Sequence, residues 1–166
     1  MATYTTTAPK QTTVISSESL LAQWQGHRQL TRRVIEAFPE KELFTFSIGG
    51  MRPFSALAGE MIGMARPGIV GIVNGNWGEF KDAPATTKEE LLATWDEVTA
   101  EINARWPSIA PDRFQEVELA FGLYEGPIYA TLFYFIDNEI HHRGQGYVYL
   151  RALGIEPPPF WDRDDK

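Results

Sequence analysis

A chain of 166 residues, of which 43% are hydrophobic, is large enough to bury one sizeable core, so a single domain is the first expectation. The net charge of −7 argues against nucleic acid as a partner, because phosphate binding needs clustered lysines and arginines. The chain has no cysteine, which fits a cytoplasmic location and excludes metal sites built from thiolates.

The first predicted element is a helix that follows a loose arm. Residues 1–15 are rich in threonine and carry little periodic apolar content, so an arm is expected there. Ser16 or Ser17 is placed to cap the helix, and apolar side chains then recur every three or four residues. Pro39 ends the pattern, and residues 40–50 are expected to form an ordered connection.

A second helix is predicted to begin near Pro53, since the fixed φ of proline suits the first helical turn. Pro67 and the glycines around it are expected to kink or loosen this helix, which leaves its far end open. A loop is predicted over residues 74–86. Thr87 and Glu90 then form the pattern of a capping box, which predicts the start of a third helix.

The last third of the chain holds the fourth predicted helix. Residues 108–126 are mixed, with short extended pieces predicted around residues 115–121. The helix is predicted over residues 127–153, and Gly154 stands where a helix commonly ends. Its first part is apolar on nearly every side, but this run is about half the length needed to span a bilayer. No membrane partner is therefore expected.

Four helices of useful length predict an all-α fold, a four-helix bundle within residues 16–166. The long connections between the second and third helices, and between the third and fourth, allow a topology other than simple up-and-down. No internal repeat and no linker divides the chain. One domain is therefore predicted.

An unusual polar pair lies on the fourth helix. Asn138 and His142 are one helical turn apart, so both project from a face whose neighbours include Phe135 and Tyr149. Such a pair is costly to bury unless a metal ion, a ligand or a partner side chain satisfies it. The pair alone is weak evidence for a metal, because a carboxamide oxygen is a poor donor to transition metals.

The second helix contributes another polar residue. Glu60 lies among Leu57, Met61 and Met64, on or near the face that the core needs. A carboxylate there has to be paired, protonated or bound to a metal. The simpler alternative is that Glu60 lies at the edge of the stripe, where it reaches solvent or pairs with an arginine.

The sequence also predicts the surroundings of two further histidines and one glycine. His27 falls on the apolar stripe of the first helix and is either a hydrogen-bonded core residue or part of the same central pocket. His141 projects about 100° away from His142, and a structural hydrogen bond is expected for it. Gly144 lowers helix propensity, which favours close approach of another backbone at that point.

Three segments of the chain resemble the DinB/YfiT-like family. Two of them lie on and just after the fourth helix, and one lies at the start of the second: IDNEIHHRGQ (136–145), YLRALGIEPP (149–158) and GMRPFSAL (50–57). The HHRGQ-type motif with the terminal LGIEPP is the more specific part. The resemblance covers most of residues 18–162.

The resemblance implies a four-helix bundle, often homodimeric, that holds a divalent metal on three histidines. One of these comes from the second helix and two from a His-x-x-x-His pair on the fourth. In this chain the three metal-ligand positions of the family correspond to Glu60, Asn138 and His142, of which only His142 is a histidine. The three residues form either a weakened site for Zn, Ni, Fe, Mn or Co, or a hydrogen-bond network that holds no metal.

Two functions compete on this basis. Family members with assigned activities imply a divalent-metal-dependent hydrolase of small molecules or a thiol-dependent S-transferase. If Glu60 is not a ligand, it is placed to act as a general base beside His142. The alternative is a non-catalytic protein that has lost its metal and keeps the fold for ligand binding or dimer formation. Both predict a small-molecule partner. The resemblance implies a homodimer, the lack of cysteine fits the cytoplasm, and the net charge of −7 argues against nucleic acid.

Overall fold

The computed structural model describes residues 14–163, and helices account for most of them. The predicted arm, residues 1–15, lies outside the described residues except for its last two. The helices and strands follow in chain order: α1 (Ser17–Ala37), α2 (Glu40–Thr45), α3 (Phe54–Asn74), α4 (Lys88–Arg105), β1 (Val117–Ala120), β2 (Tyr124–Pro127) and α5 (Ile128–Ala152). Two short 3-10 helices, Trp106–Ser108 and Pro111–Gln115, connect α4 to β1.

The starts of α1 and α4 are set by side-chain caps, as predicted. The hydroxyl of Ser16 accepts a hydrogen bond from the backbone N–H of Ser19 at 3.1 Å. Thr87 and Glu90 form a reciprocal capping box at the start of α4. Each cap satisfies backbone N–H groups that have no partner within the helix, so the two helices begin where the sequence places these residues.

The connection after α1 contains a short helix, α2, that was not predicted. Pro39 is its N-cap residue, and Glu40 and Glu42 lie in its first turn, where negative charge is favoured by the helix dipole. Leu43 is fully buried and anchors it. A helix of six residues is too short to show a helical period, so the sequence pattern did not reveal it.

Helix α3 runs uninterrupted past Pro67 and ends at Asn74. This is the end of the helix that the sequence left undefined. Gly75 follows with a φ of 78°, and its N–H donates to the carbonyl of Gly71 at 2.7 Å. Glycines within α3 serve packing: a Cβ on Gly63 would collide with the backbone carbonyl of Lys81. The loop after α3 therefore lies directly on the helix.

The extended segment predicted around residues 115–121 contains β1, which forms a small antiparallel hairpin with β2, a strand that was not predicted. Ala120 pairs with Tyr124 and Val117 with Pro127. Phe121 and Gly122, at its tip, have φ values of 54° and 69°. A positive φ is freely adopted by glycine, but a bulky aromatic residue seldom adopts it. The hairpin leads straight into α5.

The four long helices pack against one another. Helix α3 lies against α4 and α5, and α1 lies against α5 and α4. Their shared core is aromatic and aliphatic, with Trp24, Trp95 and Tyr149 among its largest fully buried side chains. Among the described helices, only α3 has the length and composition to cross a membrane, but 67% of its apolar window is buried inside the protein.

Candidate functional site

Glu60, Asn138 and His142 meet where α3 faces α5, and we call these three residues the polar cluster. The Nε2 atom of His142 lies 3.0 Å from Oε1 of Glu60. The side-chain amide of Asn138 donates to the same oxygen at 3.3 Å. His142 is buried and Glu60 is largely so. The structure thus brings together the three residues that the sequence singled out.

The second carboxylate oxygen of Glu60 is paired with Arg52, a residue that the sequence did not assign to the site. Arg52 precedes α3, and its Nη2 donates to Oε2 of Glu60. Burial alone would raise the pKa of the Glu60 carboxyl, but hydrogen bonds, that of Arg52 first, outweigh burial and hold the pKa below its ordinary value. Glu60 is therefore an ionised acceptor that three donors satisfy at neutral pH.

The spacing and the charge of the polar cluster point in opposite directions for a transition metal. Donors that bind one ion at right angles lie about 3 Å apart, so the 3.0 Å between His142 and Glu60 is compatible with shared coordination. However, the guanidinium of Arg52 already neutralises Glu60, and a metal-bound imidazole usually donates its other N–H to a partner. Nδ1 of His142 is buried without a hydrogen-bond partner.

The types of donor atom in the cluster also argue against a transition-metal site. The cluster offers one imidazole and one carboxylate, together with a carboxamide that coordinates transition metals poorly. Within residues 14–163, no group of three or more His, Asp and Glu side chains is placed to hold a metal ion. As arranged, the residues do not fit a tight transition-metal site. They fit a hydrogen-bond network in which the ring of His142 donates to Glu60.

A cavity of about 440 Å³ opens beside Glu60, between α3, α5 and the hairpin. Its floor includes Met64 and Phe135, and its outer wall is formed by the tip and second strand of the hairpin. Volumes of this size hold small organic ligands. The cavity therefore places one carboxylate of the polar cluster at the wall of a mostly apolar chamber.

The charged side chains in the cavity wall are both acidic. Glu60 and Glu125 line it, and no lysine or arginine does. Five of the lining residues are aromatic: Phe80, Phe121, Tyr124, Tyr134 and Phe135. The sequence did not predict this chamber, because it depends on how the hairpin folds back over α5.

A second polar cluster, buried between α1, α4 and α5, was also missed. Glu139 is 2% exposed and accepts a hydrogen bond of 2.6 Å from the hydroxyl of Thr31. Arg28 and Arg143 flank it, with nitrogens 4.0 and 3.7 Å from its oxygens. The guanidinium of Arg28 also stacks 4.0 Å above the ring of Trp95. Burial raises the pKa of Glu139, against the attraction of the two arginines.

His27 belongs to this second cluster and not to the cluster around Glu60. Its Nδ1 accepts a hydrogen bond of 2.9 Å from Nη2 of Arg143. Burial first, and then the positive charges of Arg143 and Arg163, together lower the pKa of His27 to about 4. The ring is therefore neutral near pH 7, in agreement with the expectation of a hydrogen-bonded core histidine.

His141 and Gly144 lie on the exposed side of α5. Nε2 of His141 lies 2.9 Å from the side-chain amide of Gln145, which is the structural hydrogen bond expected for it. The expectation for Gly144 is wrong, since a Cβ there would meet nothing within 4 Å. The close approach occurs at Gly146, where the ring of Phe54 leaves no room for a side chain.

Comparison with known proteins gives one family and one fold. A family model described as the DinB family matches residues 9–166. A DinB-like protein from Bacillus cereus is 22% identical, covers 86% of this chain and 95% of its own, and superposes with a TM-score of 0.71. A DinB-like protein from Bacillus subtilis is 15% identical, with 87% and 99% coverage and a TM-score of 0.71. No curated protein sequence matches the chain.

Proposed function

The chain belongs to the DinB family, and from that premise we propose that it is a four-helix bundle that binds a small molecule without a metal. The ligand occupies the cavity beneath the hairpin. The observation that carries this proposal is the roughly 440 Å³ chamber with the Glu60 carboxylate in its wall. An apolar chamber with one fixed polar group is the usual form of a small-molecule site, because the walls supply affinity and the polar group supplies orientation.

The polar cluster has a defined role in this proposal. Because three donors hold the Glu60 carboxylate, it keeps a fixed position and stays ionised when the chamber is filled. Its lowered pKa makes it a weak general base at neutral pH, which favours a binding role over proton abstraction. Glu60 then orients the ligand, and His142 and Asn138 position Glu60.

The test is a pair of matched tryptophan substitutions in α5 in chelator-treated protein. Ala130 lines the cavity and is otherwise exposed, so Ala130→Trp fills the chamber without disturbing the core. Ala152 is exposed at the far end of the same helix and serves as the control. Benzyl alcohol is expected to bind wild-type protein and Ala152→Trp alike in ligand-observed NMR and calorimetry, and Ala130→Trp at least about tenfold more weakly. Equal binding to all three would overturn the proposal.

The second candidate is a divalent-metal-dependent hydrolase or thiol S-transferase that uses Glu60, Asn138 and His142 as ligands. The 3.0 Å spacing of His142 and Glu60 favours it, and it requires Arg52 to release the carboxylate. Purified protein should be titrated with Zn, Ni, Fe, Mn and Co. One saturable equivalent that His142→Ala abolishes, and that the neighbouring exposed control His141→Ala keeps, would establish the metal site that this candidate requires and overturn metal-free binding.

A further inference from the structure

We infer that the ligand of this cavity carries an ammonium group on an aromatic or aliphatic body, an inference that rests on the proposed function and specifies its ligand. The chamber combines two features that recognise organic cations. Its charged lining residues are both carboxylates, and its remaining wall is rich in aromatic rings. The faces of such rings are negative and attract cations, most strongly where water is excluded.

Glu125 supplies the negative charge that is not already neutralised. It lies on β2 at the cavity wall and is exposed, and no ion pair holds it within residues 14–163. Glu60 adds a second acceptor. A carboxylate offers about four acceptor positions, and Arg52, Asn138 and His142 occupy three of those on Glu60. One position therefore remains for a donor from the ligand.

Two aromatic pairs are arranged around these carboxylates. Tyr124 and Tyr134 stack with ring centroids 6.1 Å apart, and each residue is at least half exposed. Phe121 and Phe135 lie 6.2 Å apart at the inner end. The ring of Phe121 is held there by a backbone with positive φ, which is unfavourable for phenylalanine. The hairpin thus keeps an aromatic ring over the chamber at a cost in conformational energy.

The same walls disfavour an anion. A carboxylate or phosphate in the chamber would lie near Glu125, whose charge no lysine or arginine of the lining offsets, whereas Arg52 already neutralises Glu60. The net charge of −7 acts in the same direction over longer distances. A cation is therefore favoured both in the encounter and in the bound state.

The experiment compares four probes of similar body by calorimetry, with NMR to locate them. Phenyltrimethylammonium and benzylamine are cations, benzyl alcohol is neutral and phenylacetate is an anion. Because phenyltrimethylammonium has no N–H, its binding would report charge and ring contacts alone. We expect both cations to bind about tenfold more tightly than benzyl alcohol, and phenylacetate to bind most weakly.

Matched variants separate a local effect from the overall charge. Glu125→Gln is expected to weaken cation binding severalfold and to affect the binding of benzyl alcohol much less. Glu89→Gln makes the same charge change on α4, away from the cavity, and is expected to have no effect. If Glu89→Gln weakens cation binding as much as Glu125→Gln, the inference is overturned.

The probes also distinguish this inference from the proposal beneath it. Equal binding of benzyl alcohol and the cations, lost in Ala130→Trp, would overturn the ammonium inference and leave the cavity as the ligand site. Binding of no probe, or binding that Ala130→Trp leaves unchanged, would overturn both. Tighter binding of phenylacetate than of the cations would overturn the ammonium inference alone.

Discussion

Nε2 of His142 and Oε1 of Glu60 lie 3.0 Å apart although 82 residues separate them in the chain. The two residues stand at positions where the DinB resemblance implies metal-binding histidines. In this chain they make a hydrogen bond instead, and Arg52 supplies the positive charge that a metal ion would otherwise bring to Glu60. The three residues of the polar cluster lie together between α3 and α5 and are linked by hydrogen bonds to Glu60.

Histidines at positions 60 and 138 should create a three-histidine metal site with His142. The double variant Glu60→His/Asn138→His would present three imidazoles from α3 and α5. Because it removes the Glu60 carboxylate, it also removes the ion pair that holds Arg52 at the site. Because imidazole is a much better zinc ligand than a carboxamide, we expect Zn²⁺ to bind at least about 100-fold more tightly than to wild-type protein. Competition with a chromophoric chelator measures the difference.

The control for this prediction adds His142→Ala to the double variant. Loss of the gained zinc affinity in the triple variant would assign it to the three-histidine site. Retained affinity would mean that zinc binds elsewhere, and the prediction would be wrong.

The sequence was sufficient to predict the polar cluster, because helical spacing places Asn138 and His142 on one face and the family motif relates Glu60 to them. It was not sufficient for Arg52, which precedes α3 in a segment without periodicity. Nor did it reveal the cavity, whose wall depends on the tip of the hairpin. The predicted homodimer and cytoplasmic location stay predictions.

Glu139 shows a different reason for a missed residue. Around the axis of α5 it projects about 60° away from His142, so the spacing that relates Asn138 to His142 does not include it. Its four-residue spacing to Arg143 and the polar residues His27 and Thr31 on the apolar stripe of α1 were signals of a second buried cluster. The partner helix was needed to combine them, because each signal alone also describes a solvated surface.

Glu139→Ala should destabilise the protein strongly. It would leave the buried guanidiniums of Arg28 and Arg143 without the carboxylate between them. Removing one partner of a buried ion pair costs about 3–5 kcal/mol of the free energy of unfolding. Urea unfolding measures the free energy, and Glu139→Gln, which keeps the shape, is expected to lose less. The control is the exposed Asp137→Ala on the same helix, for which a change within about 0.5 kcal/mol is expected.

His27 should make the protein less stable in mild acid. Its pKa is about 4 in the folded protein against an ordinary value of 6.5, so the unfolded chain binds more protons between these values. The free energy of unfolding therefore rises with pH across this window and falls on acidification, by about 2 to 3 kcal/mol in all. Below about pH 4 both states are protonated and the contribution is constant.

The variant that tests this is His27→Asn, whose amide oxygen takes the position of Nδ1 as acceptor for Arg143 but does not titrate. Urea unfolding at several pH values should give a shallower pH dependence for the variant than for wild-type protein. Parallel curves through this window would show that His27 does not bear the linkage.

At position 121, a glycine variant is expected to be more stable than an alanine variant, the reverse of the usual order. Phe121→Ala removes ring contacts with Trp77 and Phe135 but keeps the unfavourable positive φ. Phe121→Gly loses the same contacts and relieves the backbone, because glycine adopts positive φ freely. We expect the glycine variant to be more stable than the alanine variant by about 1 kcal/mol. Equal stability in urea unfolding would mean that the turn relaxes without the ring.

Two glycines in α5 should respond to alanine with opposite signs. Gly144 is exposed and a Cβ there would meet nothing within 4 Å, so Gly144→Ala is expected to stabilise the helix by about 1 kcal/mol. Gly146 is buried, and a Cβ would lie 2.5 Å from the ring of Phe54, which stacks on Phe38. Gly146→Ala must displace this ring and is expected to destabilise the protein by about 1–3 kcal/mol despite the gain in propensity. Thermal and urea unfolding of the two variants measure both changes, and a shared sign would contradict the packing of α3 on α5.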